Sequence, residues 1–323
     1  MPEAQIVFLT TSIAVNLVYR EGFVCHHIPP AALLPGKSTF RWNWHFYRCV
    51  SDVVKLHRPR VLVFDGSAPY IGLQRVMARF RAVRYVWVKR GLYRSSIDLG
   101  RMDAQLRLFQ KVIVPGEFGE AGPSPAVQGR ISIVPPIVGT DSASLLSKAE
   151  ACARLRLDPA HPLAYVQLGA GNINGIGDVQ TRVVRVLCRQ GYQVVVGQSP
   201  ISLRPNSCRE AHREIVDYPN SRYFAAFDFA VLAAGYNSVC EAVALNLPAI
   251  FLPNQATQAD DQTQRAYMAR RMAPCEVITE FSENALLEAI DKLRLRSEDA
   301  GSFSAPLANG AAQAATLLVG ECS

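Results

Sequence analysis

The sequence predicts an α/β protein made of two doubly wound domains that face each other across a cleft. Three observations carry that expectation. Short apolar runs alternate with helical patterns along the whole chain, as parallel strands alternate with helices that cover both faces of a sheet. The strand-like runs are apolar at nearly every position, which strands buried on both faces require. The length, 323 residues, suits two domains of roughly 150 each.

In the first half the strand-like runs are 5–9, 23–28, 60–64, 84–88, 112–114 and 131–134. Each is a short stretch rich in Val, Ile, Leu, Phe or Tyr, too short for a helix of ordinary length. Helical patterns lie between them near 39–56, 70–80 and 102–109. In the second half the strand-like runs are 164–168, 193–196, 229–232, 249–252 and 276–278. Helical patterns follow near 179–189, 239–245, 263–271 and 283–293, and the Ala-rich segment 310–319 reads as a last helix. The stretch 115–136 is rich in Gly and Pro, and Pro135-Pro136 ends a strand. A boundary near 140 follows, giving domains 1–140 and 141–323.

Composition narrows the function classes. Hydrophobic residues make up 49% and charged residues 19%, so the chain can bury a core and is not disordered. No apolar run reaches the ~18 residues of a membrane-spanning helix. The opening Met1–Thr10 lacks the features of a signal peptide, so a cytoplasmic location is expected. Eight cysteines fall in no C-x-x-C spacing, which points to free thiols rather than disulfides or zinc. The net charge of +7 is unevenly spread. Residues 1–150 hold nineteen Lys and Arg against ten Asp and Glu, while the remainder is slightly acidic. The densest run, from Arg75 to Arg94, contains no acid at all. It suits an anionic substrate or surface, although a solvated basic face fits the same residues. No nucleic-acid-binding motif accompanies it.

The most informative stretch is 229–271, which reads strand, Gly turn, helix, strand, loop, helix. Gly235 stands where a strand passes into a helix, with Asn237 and Ser238 at the N-cap and in the first turn. Free N–H groups and the positive end of the helix make that turn a natural diphosphate site. Glu241 lies one turn on. A carboxylate there cannot favour phosphate, but it can accept hydrogen bonds from the paired hydroxyls of a ribose. The next strand ends at Pro253, and its loop carries Asp260, Asp261 and Gln262 at the carboxyl end of the sheet, where ligands of α/β proteins bind.

These residues resemble the donor-binding motif of GT-B glycosyltransferases that use UDP-sugars. Gly235-Tyr236-Asn237-Ser238-Val239-Cys240-Glu241-Ala242, then Asn246-Leu247-Pro248, then Asp261-Gln262-Thr263-Gln264-Arg265-Ala266 follow the motif in order over ~40 residues. The match is similar to plant secondary-product glycosyltransferases. It is also similar to the bacterial enzymes that add N-acetylglucosamine to a lipid-linked peptidoglycan precursor. The resemblance implies that Gly235, Asn237 and Ser238 hold the diphosphate, Glu241 the ribose, and Asp261 and Gln262 the sugar. Ala234, Asn246 and Arg265 depart from the plant motif, which has histidine, glycine and asparagine there. A second loop, Gly169-Ala170-Gly171-Asn172 and onward to Gly177, joins a strand to a helix. It lacks the dinucleotide G-x-G-x-x-G spacing and a Walker lysine. The resemblance places Gly169, Gly171 and Asn172 over the donor, and a tight turn with no ligand explains the same glycines.

The first half is expected to bind the acceptor. Asp65 follows the strand 60–64 and projects from its carboxyl tip. In the plant-type relatives such an Asp orients a histidine base, and a simple Asp turn suits it equally. Similar enzymes open with a strand, a Gly/His-rich loop and a helix. This sequence opens on what looks like their second strand, so its N-terminal domain is expected to be incomplete. His26 and His27 are the candidates left for a base, and a packed or surface histidine fits them as well. Phe40, Trp42, Trp44, Phe46 and Tyr47 cluster on one helix, as core or as paving for an acceptor or membrane groove.

The resemblance implies an inverting, metal-independent transferase with no cofactor beyond its UDP-sugar donor. Its acceptor would be a hydroxyl of an anionic, lipid-linked, polysaccharide or small molecule. Peripheral contact with the inner face of a membrane would run through the basic half. Hydrolysis of the nucleotide sugar is one alternative. A donor-binding subunit without its own activity is another.

Overall fold

The computed structural model describes residues 5–33, 38–90, 92–94, 99–117, 129–169, 177–202, 207–257, 259–298 and 309–322. The first half opens with β1 (Val7–Thr10), α1 (Val15–Arg20) and β2 (Val24–His27), the two strands pairing in parallel. Helix α2 (Thr39–His57) leads into a parallel sheet ordered β3 (Val61–Asp65), β4 (Arg84–Val88), β5 (Lys111–Pro115), β6 (Ile131–Val134). Helix α3 (Ile71–Arg79) joins β3 to β4, and α4 (Leu99–Leu106) joins β4 to β5.

Sequence explains the longest of these helices. Ser38 accepts a hydrogen bond from the Arg41 N–H and caps α2, and Arg58 in a left-handed conformation ends it. Trp42, Phe46, Val50 and Val54 recur every fourth residue and form its buried stripe. That stripe packs with Leu73, Val76 and Met77 of α3 and with Tyr85 and Trp87 of β4. The two helices touch most closely at Gly72. Its N–H donates to Asn43 Oδ1 at 2.9 Å, and an added Cβ would lie 2.5 Å from the Asn43 carbonyl oxygen.

The second half holds a six-stranded parallel sheet. Its strands are β7 (Leu163–Gln167), β8 (Gln193–Gly197), β9 (Arg213–Ile215), β10 (Phe229–Leu232), β11 (Ala249–Phe251) and β12 (Cys275–Val277). They lie in the order β12-β11-β10-β7-β8-β9. Helices α5 (Lys148–Leu155), α6 (Gly177–Arg189), α7 (Tyr236–Ala244), α8 (Gln262–Met272) and α9 (Glu283–Glu298) cover the two faces. The central strands are buried at every position but Gln167, the last of β7, as continuous apolar runs require. The strand order reverses between β7 and β10. A doubly wound sheet opens a crevice there, outside the carboxyl ends of its strands.

The last helix, α10 (Ala311–Cys322), returns to the first half. Its Ala314, Leu317 and Leu318 pack with Val86, Ile113 and Val134 of the first sheet, and Glu321 bonds Arg84. The chain therefore crosses between the halves twice.

All eleven strands expected from the sequence form, within two residues at either end. Strand β9 and helices α1 and α5 were not expected. Strand β9 has three residues, two of them charged, on the edge of its sheet, so no apolar run marks it. Gly72→Ala is expected to destabilise the protein by about 1–3 kcal/mol through the clash with Asn43. Urea unfolding measures it, and an unchanged midpoint would contradict the close helix contact.

Candidate functional site

The crevice between β7 and β10 is bordered by the turns that leave those strands. After β7 the chain reaches Gly169 in a left-handed conformation (φ +91°), beside Ala233 of the other turn. Gly171 and Asn172 lie outside the described residues. After β10 the turn runs Ala233-Ala234-Gly235 into α7. Gly235 is itself the N-cap of α7 and has no side chain to close the helix start. Asn237 and Ser238 are therefore the second and third helical residues: Ser238 lies in the first turn as expected, and Asn237 lies inside the helix instead of at its N-cap. The first-turn N–H groups are left without a side-chain cap, facing the crevice.

Glu241 sits one turn along α7, beside Gly139 and Ser221, with Thr140 bonded in turn to Ser221. An added Cβ at Gly139 would be 3.9 Å from Glu241 Oε1, and the Ser221 hydroxyl bonds the carboxylate. Thr140 Oγ1 and Ser221 Oγ are 2.5 Å apart and buried. Burial pushes the Glu241 carboxyl up to about 7, with the Ser221 hydrogen bond acting against it. A carboxylate set among hydroxyls in a half-dry pocket is suited to accept bonds from a vicinal diol.

The loop after β11 holds the acidic residues. Asp261 caps α8 by accepting from the Gln264 N–H at 2.9 Å. Gln262 is buried, and its Oε1 accepts from the Asn254 N–H at 2.9 Å. Among the described residues, Asp261 Oδ2 and Gln262 Nε2 form no such bond. Asp260 is held differently. Arg265, with 1% of its side chain exposed, donates to Asp260 at 2.7 and 3.0 Å. It also donates to both oxygens of buried Glu117, at 2.6 to 2.9 Å, and to the Ala234 carbonyl at 3.1 Å. Glu117 belongs to the first half, just past β5. Backbone pairing continues the junction, with the Asp261 N–H donating to Leu92 O at 2.7 Å and the Arg94 N–H to Ala259 O at 3.0 Å.

The carboxyl ends of the first sheet face this junction. Asp65 ends β3, and both its oxygens are taken by Arg90, at 2.9 and 3.1 Å. The third arm of Arg90 reaches Asn237 Oδ1 at 3.3 Å. His26 lies elsewhere. Its Nε2 is 2.8 Å from Nε2 of His57, which lies four residues ahead of β3, whereas Asp65 closes the far end of that strand. Among the described residues no hydrogen bond joins Asp65 to a histidine, so the two do not form a base pair of the plant type. His27 is exposed. No group of three His, Cys, Asp or Glu side chains among the described residues is placed to hold a metal ion.

Sequence reading missed Glu117 and Arg265 as partners. Arg265 was visible only as a departure from the motif, and Glu117 stands in a Gly/Pro-rich stretch that shows no pattern. Thr140 and Ser221 carried no signal, because an isolated hydroxyl, on a loop for Thr140 and in a short 3-10 helix for Ser221, has none.

Comparison with known proteins bears on the fold and the class of activity. Residues 183–318 match the glycosyltransferase family 28 C-terminal domain. A curated relative from Nocardioides sp. (strain ATCC BAA-499 / JS614) is 28% identical over 268 residues, 78% of this chain and 70% of its own. It is a UDP-N-acetylglucosamine–N-acetylmuramyl-(pentapeptide) pyrophosphoryl-undecaprenol N-acetylglucosamine transferase. Among solved structures, the glycosyltransferase of kitacinnamycin superposes with a TM-score of 0.60 at 15% identity, covering 97% of this chain and 90% of that one. MurG of Acinetobacter baumannii gives 0.56 at 11% identity, covering 98% and 91%. The fold is thus that of the GT-B glycosyltransferases, two Rossmann-like domains about a cleft. The family match over 183–318 and the curated relative together support one activity class: the chain is a glycosyltransferase.

Two expectations follow from the buried charges. Arg265→Met leaves Glu117 buried without its cation and is expected to cost about 3–5 kcal/mol in urea unfolding. Adding Glu117→Leu to it should restore part of that loss, and a single variant within 1 kcal/mol of the wild type would contradict the assignment. For Glu241 the folded carboxyl titrates higher than the free one, so the folded state binds the extra proton between about 4.5 and 7. Stability conferred by that proton is lost as pH rises through this window. Glu241→Gln should therefore melt a few degrees higher than the wild type at pH 8, with the difference gone by about pH 4.5. Equal melting points at pH 8 would contradict a buried carboxylate.

Proposed function

We propose that the protein transfers an N-acetylhexosamine or related sugar from a UDP-sugar to a hydroxyl of a lipid-linked acceptor, with inversion and without a metal. The observation that carries the reading is the uncapped start of α7, set at the point where the strand order reverses and followed by Glu241 in its hydroxyl-lined pocket. The curated relative's own activity supports the donor and acceptor classes. We place residues 1–140, joined by the returning α10, as the acceptor domain and the rest of 141–323 as the donor domain.

The acceptor oxygen attacks the anomeric carbon from the face opposite the diphosphate. The carbon–oxygen bond to the diphosphate breaks, UDP leaves with the electron pair, and a base takes the hydroxyl proton. The negative charge that grows on the departing diphosphate meets the N–H groups of Asn237 and Ser238 and the positive end of α7. These donors are in place before reaction, so they stabilise the transition state more than the ground state. Glu241 takes the ribose hydroxyls. Asp261 Oδ2 and Gln262 Nε2 are available to the sugar, and Gly169 lets the neighbouring turn come close to the donor.

A membrane-borne acceptor is supported by the outer face of α2 and α3. Phe40 and Trp44 are 72% and 47% exposed on one face of α2, and Ile71 is 53% exposed on α3. Arg75 stacks over Trp44 at 5.5 Å, and Arg79 donates to the Tyr47 hydroxyl at 2.9 Å. Exposed aromatic side chains ringed by arginines suit an anionic lipid surface. No helix among the described residues is long and apolar enough to cross a membrane.

A thermal-shift panel of nucleotide sugars tests the donor, because a ligand of the native state raises its melting point. UDP-N-acetylglucosamine should stabilise and GDP-mannose should not; the reverse would contradict the reading. Glu241→Ala should weaken UDP binding by ~1–3 kcal/mol in calorimetry. Replacing Phe40 and Trp44 with Ser should reduce sedimentation with anionic vesicles while leaving UDP affinity intact, and undiminished sedimentation would count against this face.

A further inference from the structure

Arg90 occupies an electrostatically odd position. Its guanidinium reaches the first turn of α7, the end of a helix that already carries partial positive charge. A cation is placed poorly there unless an anion is to lie between the two. Its contact with Asn237 is also weak for an arginine: 3.3 Å to a neutral amide oxygen, when such bonds are usually near 2.9 Å. The other two arms are held firmly. Nε and Nη2 form a two-point pair with Asp65 at 2.9 and 3.1 Å, which fixes the plane of the guanidinium and aims Nη1 across the cleft. Arg90 therefore comes from the first half, is anchored by the tip of β3, and presents one loosely engaged donor to the crevice of the second half.

We infer that Arg90 binds the diphosphate of the donor from the acceptor side of the cleft, and that Asp65 is its positioning residue rather than the partner of a histidine base. This rests on the donor-site reading above and adds to it a residue from the opposite half. When the nucleotide enters, Nη1 exchanges a long neutral contact with Asn237 for a charge-assisted bond to a phosphate oxygen. The Asn237 side chain is released, and the diphosphate is held between Arg90 and the α7 N–H groups. The bond strengthens as UDP departs, because the charge on the phosphate oxygen it meets increases. Asp65 keeps the fork oriented throughout and takes no proton.

Calorimetry with two probes, UDP and uridine, separates this from a structural role. Both occupy the ribose pocket, and only UDP carries the diphosphate. Arg90→Ala should weaken UDP binding about 10–100-fold, the scale for a lost charged hydrogen bond, and leave uridine within about threefold. Arg90→Lys keeps the charge without the fork and should fall between wild type and alanine. Asp65→Asn should weaken UDP by less than Arg90→Ala and leave uridine unchanged. Melting curves of all three variants identify any that fail to fold, and Arg90→Lys then carries the comparison. Equal losses for UDP and uridine, or unchanged UDP affinity in Arg90→Ala, would overturn the inference alone. A wild-type protein that binds no UDP at all would overturn the donor-site reading and this inference with it.

Discussion

A guanidinium with 1% of its side chain exposed must be matched by carboxylates, and Arg265 is matched by two that come from different parts of the chain. Removing such charges from water costs several kcal/mol per ion, and only good geometry and full hydrogen bonding offset it. Arg265 meets both conditions. It binds Glu117 beyond β5, Asp260 beyond β11 and the Ala234 carbonyl at the turn beyond β10. Three loops at carboxyl ends of strands, drawn from both sheets, are thereby tied to one planar group. That group ties the walls of the cleft together, alongside the return of α10 and the backbone pairing at Leu92 and Arg94.

The chemistry depends on the same tie. The Ala234 carbonyl lies one residue before Gly235, so Arg265 fixes the turn that presents the first N–H groups of α7. Asp260, drawn to Arg265, sets the loop whose next two residues cap and enter α8. The backbone pairing of Leu92 and Arg94 with Asp261 and Ala259 brings the end of the basic run against that loop. The basic residues of the first half thus fall into two groups. Arg90 and Arg94 reach the second half, where Arg94 also donates to the Gln255 carbonyl, while Arg75 and Arg79 stand with the aromatic residues Trp44 and Tyr47 of α2.

Much of the fold was legible because buried parallel strands must be apolar at every position, and such runs stand out. The turn into α7 was legible for a related reason: a strand, a glycine and a helix start are local features. What sequence did not reveal is non-local. Nothing near Glu117 in the chain announces that Arg265, 148 residues away, will bury it. Asp65 ends β3 and Arg90 lies two residues past β4, and their pairing depends on the register that sets Asp65 opposite Val88. The return of α10 to the first sheet was equally hidden, since its Ala-rich pattern would suit either half. The partners of the two candidate residues were hidden for the same reason, with His26 turned to His57 and Asp65 to Arg90.

The central claim is that one crevice, made by the turns after β7 and β10 and closed by the first half, holds the nucleotide sugar. Hydrogen–deuterium exchange with and without saturating UDP-N-acetylglucosamine tests it most directly, because protection reports where the ligand covers or steadies backbone amides. The account predicts slowed exchange in peptides covering 235–241 and 139–140, with a further decrease around 90–94 from the opposite half. Ligand-dependent protection confined to other surfaces, with those segments unchanged, would contradict it.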